Sequence, residues 1–213
     1  DAYIDSHLIP EDPILLQTLK NTEEKGFPDH LAVAPNQGML LQMLIQMNKC
    51  KRVLELGTFA AYSTMWLARA LPEDGYILTI EGRDTHAALA QENIDNAKLP
   101  QTIELKVGRA ADVLKTLPAD FEAFDFIFID ADKQSYPEYL ELSLDLSHSG
   151  TIIVLDNVIR AGEIINPENH KPSIEGIREM FVALQNHPRI LSCTALQTVG
   201  SKGHDGFALA IVK

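Results

Sequence analysis

Apolar positions in this chain fall into short continuous runs, separated by longer stretches in which they recur at helical spacing. The runs predict strands over Arg52–Leu56, Tyr76–Glu81, Ile103–Lys106, Phe124–Ile129, Thr151–Leu155, Arg189–Thr198 and Gly206–Val212. The stretches between them predict helices over Ala60–Ala70, Thr85–Ala97, Ala110–Leu117, Tyr136–Ser147 and Ile174–Gln185. Such alternation implies a largely parallel sheet with right-handed crossovers. Ser201–Gly206 is too short for a crossover helix, so the last two strands are expected to pair antiparallel. Ahead of the first strand, Pro13–Lys25 and Pro35–Asn48 each read as a helix with proline near its start. The second is apolar around much of its circumference and is expected to be buried, against the sheet or a second subunit.

Arg52–Ser63, RVLELGTFAAYS, is the most informative stretch. A buried strand carrying Glu55 runs through Gly57 and Thr58 into a helix, which is how α/β proteins build a nucleotide pocket. The dinucleotide fingerprint G-x-G-x-x-G is absent, and Phe59 is a poor neighbour for a pyrophosphate, so a nucleoside without phosphates fits better. Glu81 ends the next strand, where such folds place the carboxylate that accepts hydrogen bonds from ribose hydroxyls.

Two further strands end in oxygen-bearing side chains. FDFIFIDADK places Asp130 at a strand end with Asp132 and Lys133 just beyond, and TIIVLDN places Asp156 and Asn157 at the next. Neighbouring carboxylates repel unless a cation lies between them. Two carboxylates and an amide carbonyl form a hard oxygen set that suits Mg²⁺ or Ca²⁺. No His or Cys pairs have zinc spacing. Lys133 beside that set would help keep a substrate hydroxyl deprotonated.

The 213 residues are 46% hydrophobic, enough for one globular domain, and no apolar run reaches membrane-span length. A net charge of −12 argues against broad binding to nucleic acid or anionic membranes. Two cysteines, Cys50 and Cys193, form no disulfide framework and fit a reducing cytoplasm. The chain begins at Asp1 rather than Met, which leaves room for native residues before it.

ELGTFAAYS, FIDADK and LDN, in this order and at these separations, resemble the cation-dependent O-methyltransferases, the bacterial relatives of plant caffeoyl-CoA O-methyltransferase and, more distantly, of catechol O-methyltransferase. The resemblance runs from the YIDSHLIPEDPIL opening to the final DGFALA. It implies a Rossmann-like class I methyltransferase fold: a seven-stranded, mostly parallel sheet with an antiparallel last strand, residues 1–48 forming an N-terminal helical extension on a 49–213 core. It implies S-adenosylmethionine as cofactor, held by Glu55, Gly57, Thr58 and Ser63, with Glu81 on the ribose. Ala110 would lie beside the adenine, Val33 at the methionine end, and Asp132 would also reach the cofactor. Asp130, Asp156 and Asn157 would hold a divalent cation, Mg²⁺ before Ca²⁺ or Mn²⁺. That cation would chelate two neighbouring oxygens of a catechol-like substrate, with Lys133 as general base and Asp205 near the substrate. Members of the family are usually homodimers.

Two positions depart from the family pattern. Ala61 stands where glycine is frequent, and Arg160 stands where bacterial members commonly carry an aromatic in DN-x-x-W. The Val158–Ser173 loop is expected to wall the substrate site, so Arg160 disfavours a plain phenylpropanoid and suits an anionic substrate. One alternative keeps the chemistry but takes a hydroxylated uridine in transfer RNA, using a basic strip of Lys49, Lys51, Arg52, Arg160 and Lys171. The other is a protein that binds the nucleoside without transferring methyl.

Overall fold

A computed structural model of the chain describes residues 1–213, apart from the side chain of Asp29. Internal contacts divide the chain into two compact units, Asp1–Arg109 and Ala110–Lys213. The first contains α1 (Ala2–Leu8), α2 (Pro13–Glu24), α3 (Pro35–Met47), β1 (Arg52–Leu56), α4 (Tyr62–Ala70), β2 (Tyr76–Glu81), α5 (Asp84–Ala97) and β3 (Thr102–Val107). The second contains α6 (Ala110–Lys115), β4 (Phe124–Ile129), α7 (Tyr136–Asp145), β5 (Ser147–Asp156), α8 (Pro172–Asn186), β6 (Ile190–Gly200) and β7 (Gly203–Val212). The strand order is β3-β2-β1-β4-β5-β7-β6.

In the first unit β1 pairs in parallel with β2, and β2 with β3, in unbroken register. From Val53 in β1 and Ile77 in β2 onward every residue is buried, as strands covered on both faces must be, which explains their unalternated apolar runs. In the second unit β4 and β5 are parallel, while β7 is antiparallel to both β5 and β6. The antiparallel hairpin was expected; the placement of β7 between β5 and β6 was not read from the sequence.

Several boundaries move. Gly200 pairs with Gly203, so the Ser201–Gly206 connection shrinks to a two-residue turn, Ser201 and Lys202. Asp205 therefore lies in β7 opposite Thr198 rather than in a turn. Helix α4 begins at Tyr62, not near Ala60, because Ala61 takes a left-handed φ of 63°. Helix α6 stops at Lys115, and β5 starts at Ser147, where a longer α7 was expected.

Helix α1 was not foreseen; it has no buried residue, so no apolar face marks it in the sequence. Helix α3 buries only Gly38, Leu41 and Ile45, leaving Met43 and Met47 exposed. Its contact with α4 explains the glycine: a Cβ on Gly38 would lie 2.5 Å from Nε1 of Trp66. Among the described residues no helix is long and apolar enough to cross a membrane.

Candidate active site

The glycine turn of the first unit is built on a fully buried carboxylate. Glu55, in the middle of β1, has no solvent exposure. Its Oε1 accepts from Ser63 Oγ (2.6 Å), and its Oε2 from Thr64 Oγ1 (2.5 Å) and Thr79 Oγ1 (2.7 Å). Burying an isolated carboxylate costs several kcal/mol, and charge-assisted O–H donors offset that. Thr79 gives its only proton to Glu55, so Thr58 is the donor in the 2.6 Å contact between the two threonine hydroxyls. Glu55 thus ties β1, β2 and α4 together beneath the turn and orients the hydroxyl of Ser63.

Above this brace the backbone is bent sharply. Gly57 has φ 96°, Phe59 φ 48° and Ala61 φ 63°. Glu81 fastens the bend: its Oε2 accepts from the N–H groups of Thr58 (3.3 Å) and Phe59 (2.8 Å), and its Oε1 from that of Arg83 (2.9 Å). A carboxylate has about four acceptor sites, so Glu81 keeps capacity on Oε1 after serving the turn. His86 Nδ1 stands 3.6 Å from that oxygen. The rings of Phe59, His86 and Phe27 meet edge to face, with centroids 5.0–6.3 Å apart. This aromatic wall suits a nucleoside, as the absence of a phosphate fingerprint implies. Val33 is buried at the end of the loop that carries Phe27, just before α3.

In the second unit the strand ends converge. Ile129 pairs with Leu155, so Asp130 and Asp156 follow at the same level on neighbouring strands. Lys133 Nζ lies 2.5 Å from Asp130 Oδ1. Asp156 is 5% exposed, and its Oδ1 accepts from the N–H of Asn157, itself left-handed at φ 55°. Asp132 accepts from the hydroxyl of Tyr139 (2.5 Å). Ala110 opens α6 and is buried.

Tyr136, which the sequence reading missed, links the two strand ends. Its hydroxyl reaches the carbonyl of Ile129 (3.1 Å) and donates to that of Asp156 (2.7 Å). Burial above all, then the charges of Asp130, Asp156 and Asp205, push this phenol well above its ordinary pKa, against the opposing charge of Arg160. The phenol therefore stays a donor, and these four charged residues lie within electrostatic reach of it. Gly176 of α8 closes the arrangement from behind: a Cβ there would lie 2.4 Å from the carbonyl oxygen of Lys133.

The loop expected over Val158–Ser173 ends at Lys171, the N-cap of α8, and is fastened at several points. Asp205 Oδ1 accepts from the N–H groups of Ile159, Arg160 and Gly206, each at 3.0 Å, so its first role is to fix the loop. Arg178 of α8 donates to the carbonyls of Ile164, Asn169, Glu163 and Asn166 and to the carboxylate of Glu175. Neither the brace threonines nor Arg178 carries a sequence signature; apart from Glu175, their partners lie on other elements.

The fit to a divalent cation rests on the donor set. Among the described residues no three His, Cys, Asp or Glu side chains form a metal cage. The set here has two carboxylates and an amide, and it is all oxygen, which suits a hard cation that retains other ligands. Lys133 occupies one oxygen of Asp130 and leaves the other.

Strand order, glycine turn and acidic strand ends together define a methyltransferase of the class I type. The chain belongs to the O-methyltransferase family, whose model matches residues 6–210, and it is an O-methyltransferase. It is 46% identical over 214 residues to a catechol O-methyltransferase of Niastella koreensis, covering 100% of this chain and 96% of that one. It is 31% identical over 200 residues to caffeoyl-CoA O-methyltransferase 2 of Petunia hybrida, covering 89% and 82%. The crystal structure of the O-methyltransferase from Bacillus cereus in complex with SAH superposes with a TM-score of 0.95 at 45% identity, over 100% of this chain and 96% of that one.

Proposed function

We propose that this enzyme transfers a methyl group from S-adenosylmethionine to one hydroxyl of a catechol or similar vicinal diol, with a divalent cation, Mg²⁺ first. The observation that carries the reading is the convergence of Asp130, Lys133, Asp156 and Asn157 at neighbouring strand ends in the second unit. The 46% identity to a catechol O-methyltransferase and the SAH in the Bacillus cereus structure support it.

In this reading Glu81 takes a ribose hydroxyl on its remaining acceptor capacity. Ser63, oriented by Glu55, and the backbone of Gly57 and Thr58 hold the methionine end with Val33. Asp132 reaches toward the same ligand, its carboxylate set by Tyr139, and Ala110 offers a small apolar surface to the adenine. S-adenosylmethionine supplies an electrophilic methyl on sulfonium. Asp130, Asp156 and Asn157 would hold the cation, which supplies Lewis acidity toward neighbouring hydroxyl oxygens. Lys133, 2.5 Å from Asp130 Oδ1, would act as the general base that takes the proton of the attacking hydroxyl, and the pocket contributes mainly positioning. Arg160 and Asp205 belong to the substrate wall.

The enzyme acts as a homodimer in the cytoplasm in this reading. Exposed Tyr3 and Leu8 of α1 and Met43 and Met47 of α3 support assembly, and Cys50 and Cys193, which form no disulfide, suit that compartment. Light scattering that finds a monomer would remove the dimer. Transfer RNA is disfavoured by the net charge of −12 and by Lys51, which lies 3.6 Å from Asp74. The deciding experiment is methyl transfer to a catechol panel with Mg²⁺ and then with excess EDTA. Turnover abolished by EDTA and restored by Mg²⁺ is expected; turnover indifferent to EDTA overturns the cation assignment, and none on any catechol overturns the substrate.

A further inference from the structure

Arg160 sits three residues beyond Asn157, in a segment whose backbone is unusual and firmly held. Arg160, Ala161 and Gly162 have φ values of 53°, 56° and 85°. Left-handed backbone costs about 1 kcal/mol or more at a residue with a Cβ, and persists only where the surroundings enforce it. Here Asp205 holds the N–H groups of Ile159 and Arg160, and Arg178 fixes the segment from Glu163 to Asn169. Backbone held in this way fixes the direction in which the Cβ of Arg160 leaves the chain.

The side chain so presented is a cation without a partner. The second unit has three arginines. Arg178 spends its guanidinium on the loop, and Arg189 donates to the carbonyls of Leu144 and Ser147. The exposed guanidinium of Arg160 has no hydrogen-bond or ion-pair partner among the described residues. Asp130, Asp156 and Asp205 act together with Arg160 on the Tyr136 phenol, yet each carboxylate is engaged: Asp130 by Lys133, Asp156 by the N–H of Asn157, Asp205 by three backbone N–H groups. In a chain of net charge −12, an unpaired guanidinium whose charge reaches Tyr136, between the two acidic strand ends, is a vacant anion receptor. Its planar fork matches a carboxylate at two points, which a neutral ring substituent does not satisfy.

We propose that Arg160 selects the substrate and that the accepted catechol carries an anionic substituent, a ring carboxylate in the simplest case. The inference rests on the catechol reading above. The test compares 3,4-dihydroxybenzoate with 3,4-dihydroxybenzamide, the same diol with and without charge. Both kcat/KM with S-adenosylmethionine and Mg²⁺, and calorimetric affinity in the presence of S-adenosylhomocysteine, are measured on the full chain. A preference for the benzoate of about tenfold is expected, weakening as salt rises. It should fall to near unity in Arg160→Leu and to an intermediate value in Arg160→Lys, which keeps the charge but not the fork; taking the ratio cancels any general loss in the variants. Equal use of both compounds by the parent enzyme, or a preference that persists in Arg160→Leu, overturns the inference while leaving catechol methylation intact. Neither turnover nor binding of either compound removes the catechol reading, and the inference with it.

Discussion

Replacing Arg178 by lysine tests whether the proposed substrate wall is built in advance or left to form around the ligand. The guanidinium donates through Nε to Ile164 (2.9 Å), through one terminal nitrogen to Asn169 (2.9 Å) and Glu175 (3.0 Å), and through the other to Glu163 (3.4 Å) and Asn166 (2.5 Å). All five donors are used. Lysine keeps the charge and offers at most three donors from a single point, so at least two bonds are lost. At about 0.5–1.5 kcal/mol each, the loop loses roughly 1–3 kcal/mol of fastening. Its carbonyls can rehydrate at the surface, so global stability should change little. The open population of the loop should rise about 5- to 150-fold, since each 1.4 kcal/mol is a factor of ten. Amide hydrogen exchange over residues 160–170 reads this directly. If the loop walls the substrate as proposed, KM for a catechol should rise with kcat less affected, because a wall away from the methyl contributes to binding rather than to transfer. Exchange unchanged in Arg178→Lys, with unchanged KM, would refute a preformed wall.

Two other outcomes follow from backbone strain and from a surface histidine. Ala61 is fully buried with φ 63°, a conformation that glycine adopts freely, so Ala61→Gly should stabilise the protein by up to about 1 kcal/mol, read as a rise in urea midpoint; a fall would show that the methyl's packing outweighs the strain. His148 places both ring nitrogens on acceptors, the carbonyl of Ser149 and the carboxylate of Asp125, each at 2.8 Å, and these bonds raise its pKa. A raised folded-state pKa gives stability that is present in full below the unfolded value near 6.5 and is lost as pH rises through the folded value. The side chain is 47% exposed, so screening keeps the effect below about 1 kcal/mol. Urea midpoints should decline across neutral pH in the parent more steeply than in His148→Gln; identical slopes would exclude this role.

Much of the site was legible because its chemistry lies at strand ends that apolar runs make easy to locate. Glu81, Asp130 and Asp156 were placed by the end of a run and Glu55 by its place inside one, and the strands β1, β2 and β4 begin and end where the pattern predicts. Asp205 was placed in a turn because HDG reads as one, and only strand pairing carried it into β7. Helix α3 was expected to be buried against the sheet or a second subunit; within the chain Met43 and Met47 stay exposed, since apolar composition does not say which face a neighbour covers.

The sequence by itself determined the parallel α/β order, the glycine turn, the acidic strand ends and the hairpin, since all are local periodicities or local chemistry. Tertiary structure alone decided which groups hold those residues in place. Thr79 lies twenty-four residues from Glu55, Tyr136 twenty from Asp156, and Asp205 forty-five from Arg160. Hydrogen bonds between such distant partners depend on strand register and helix packing. No local pattern encodes them, because a threonine, a tyrosine or an aspartate looks the same in sequence whether or not a partner folds beside it.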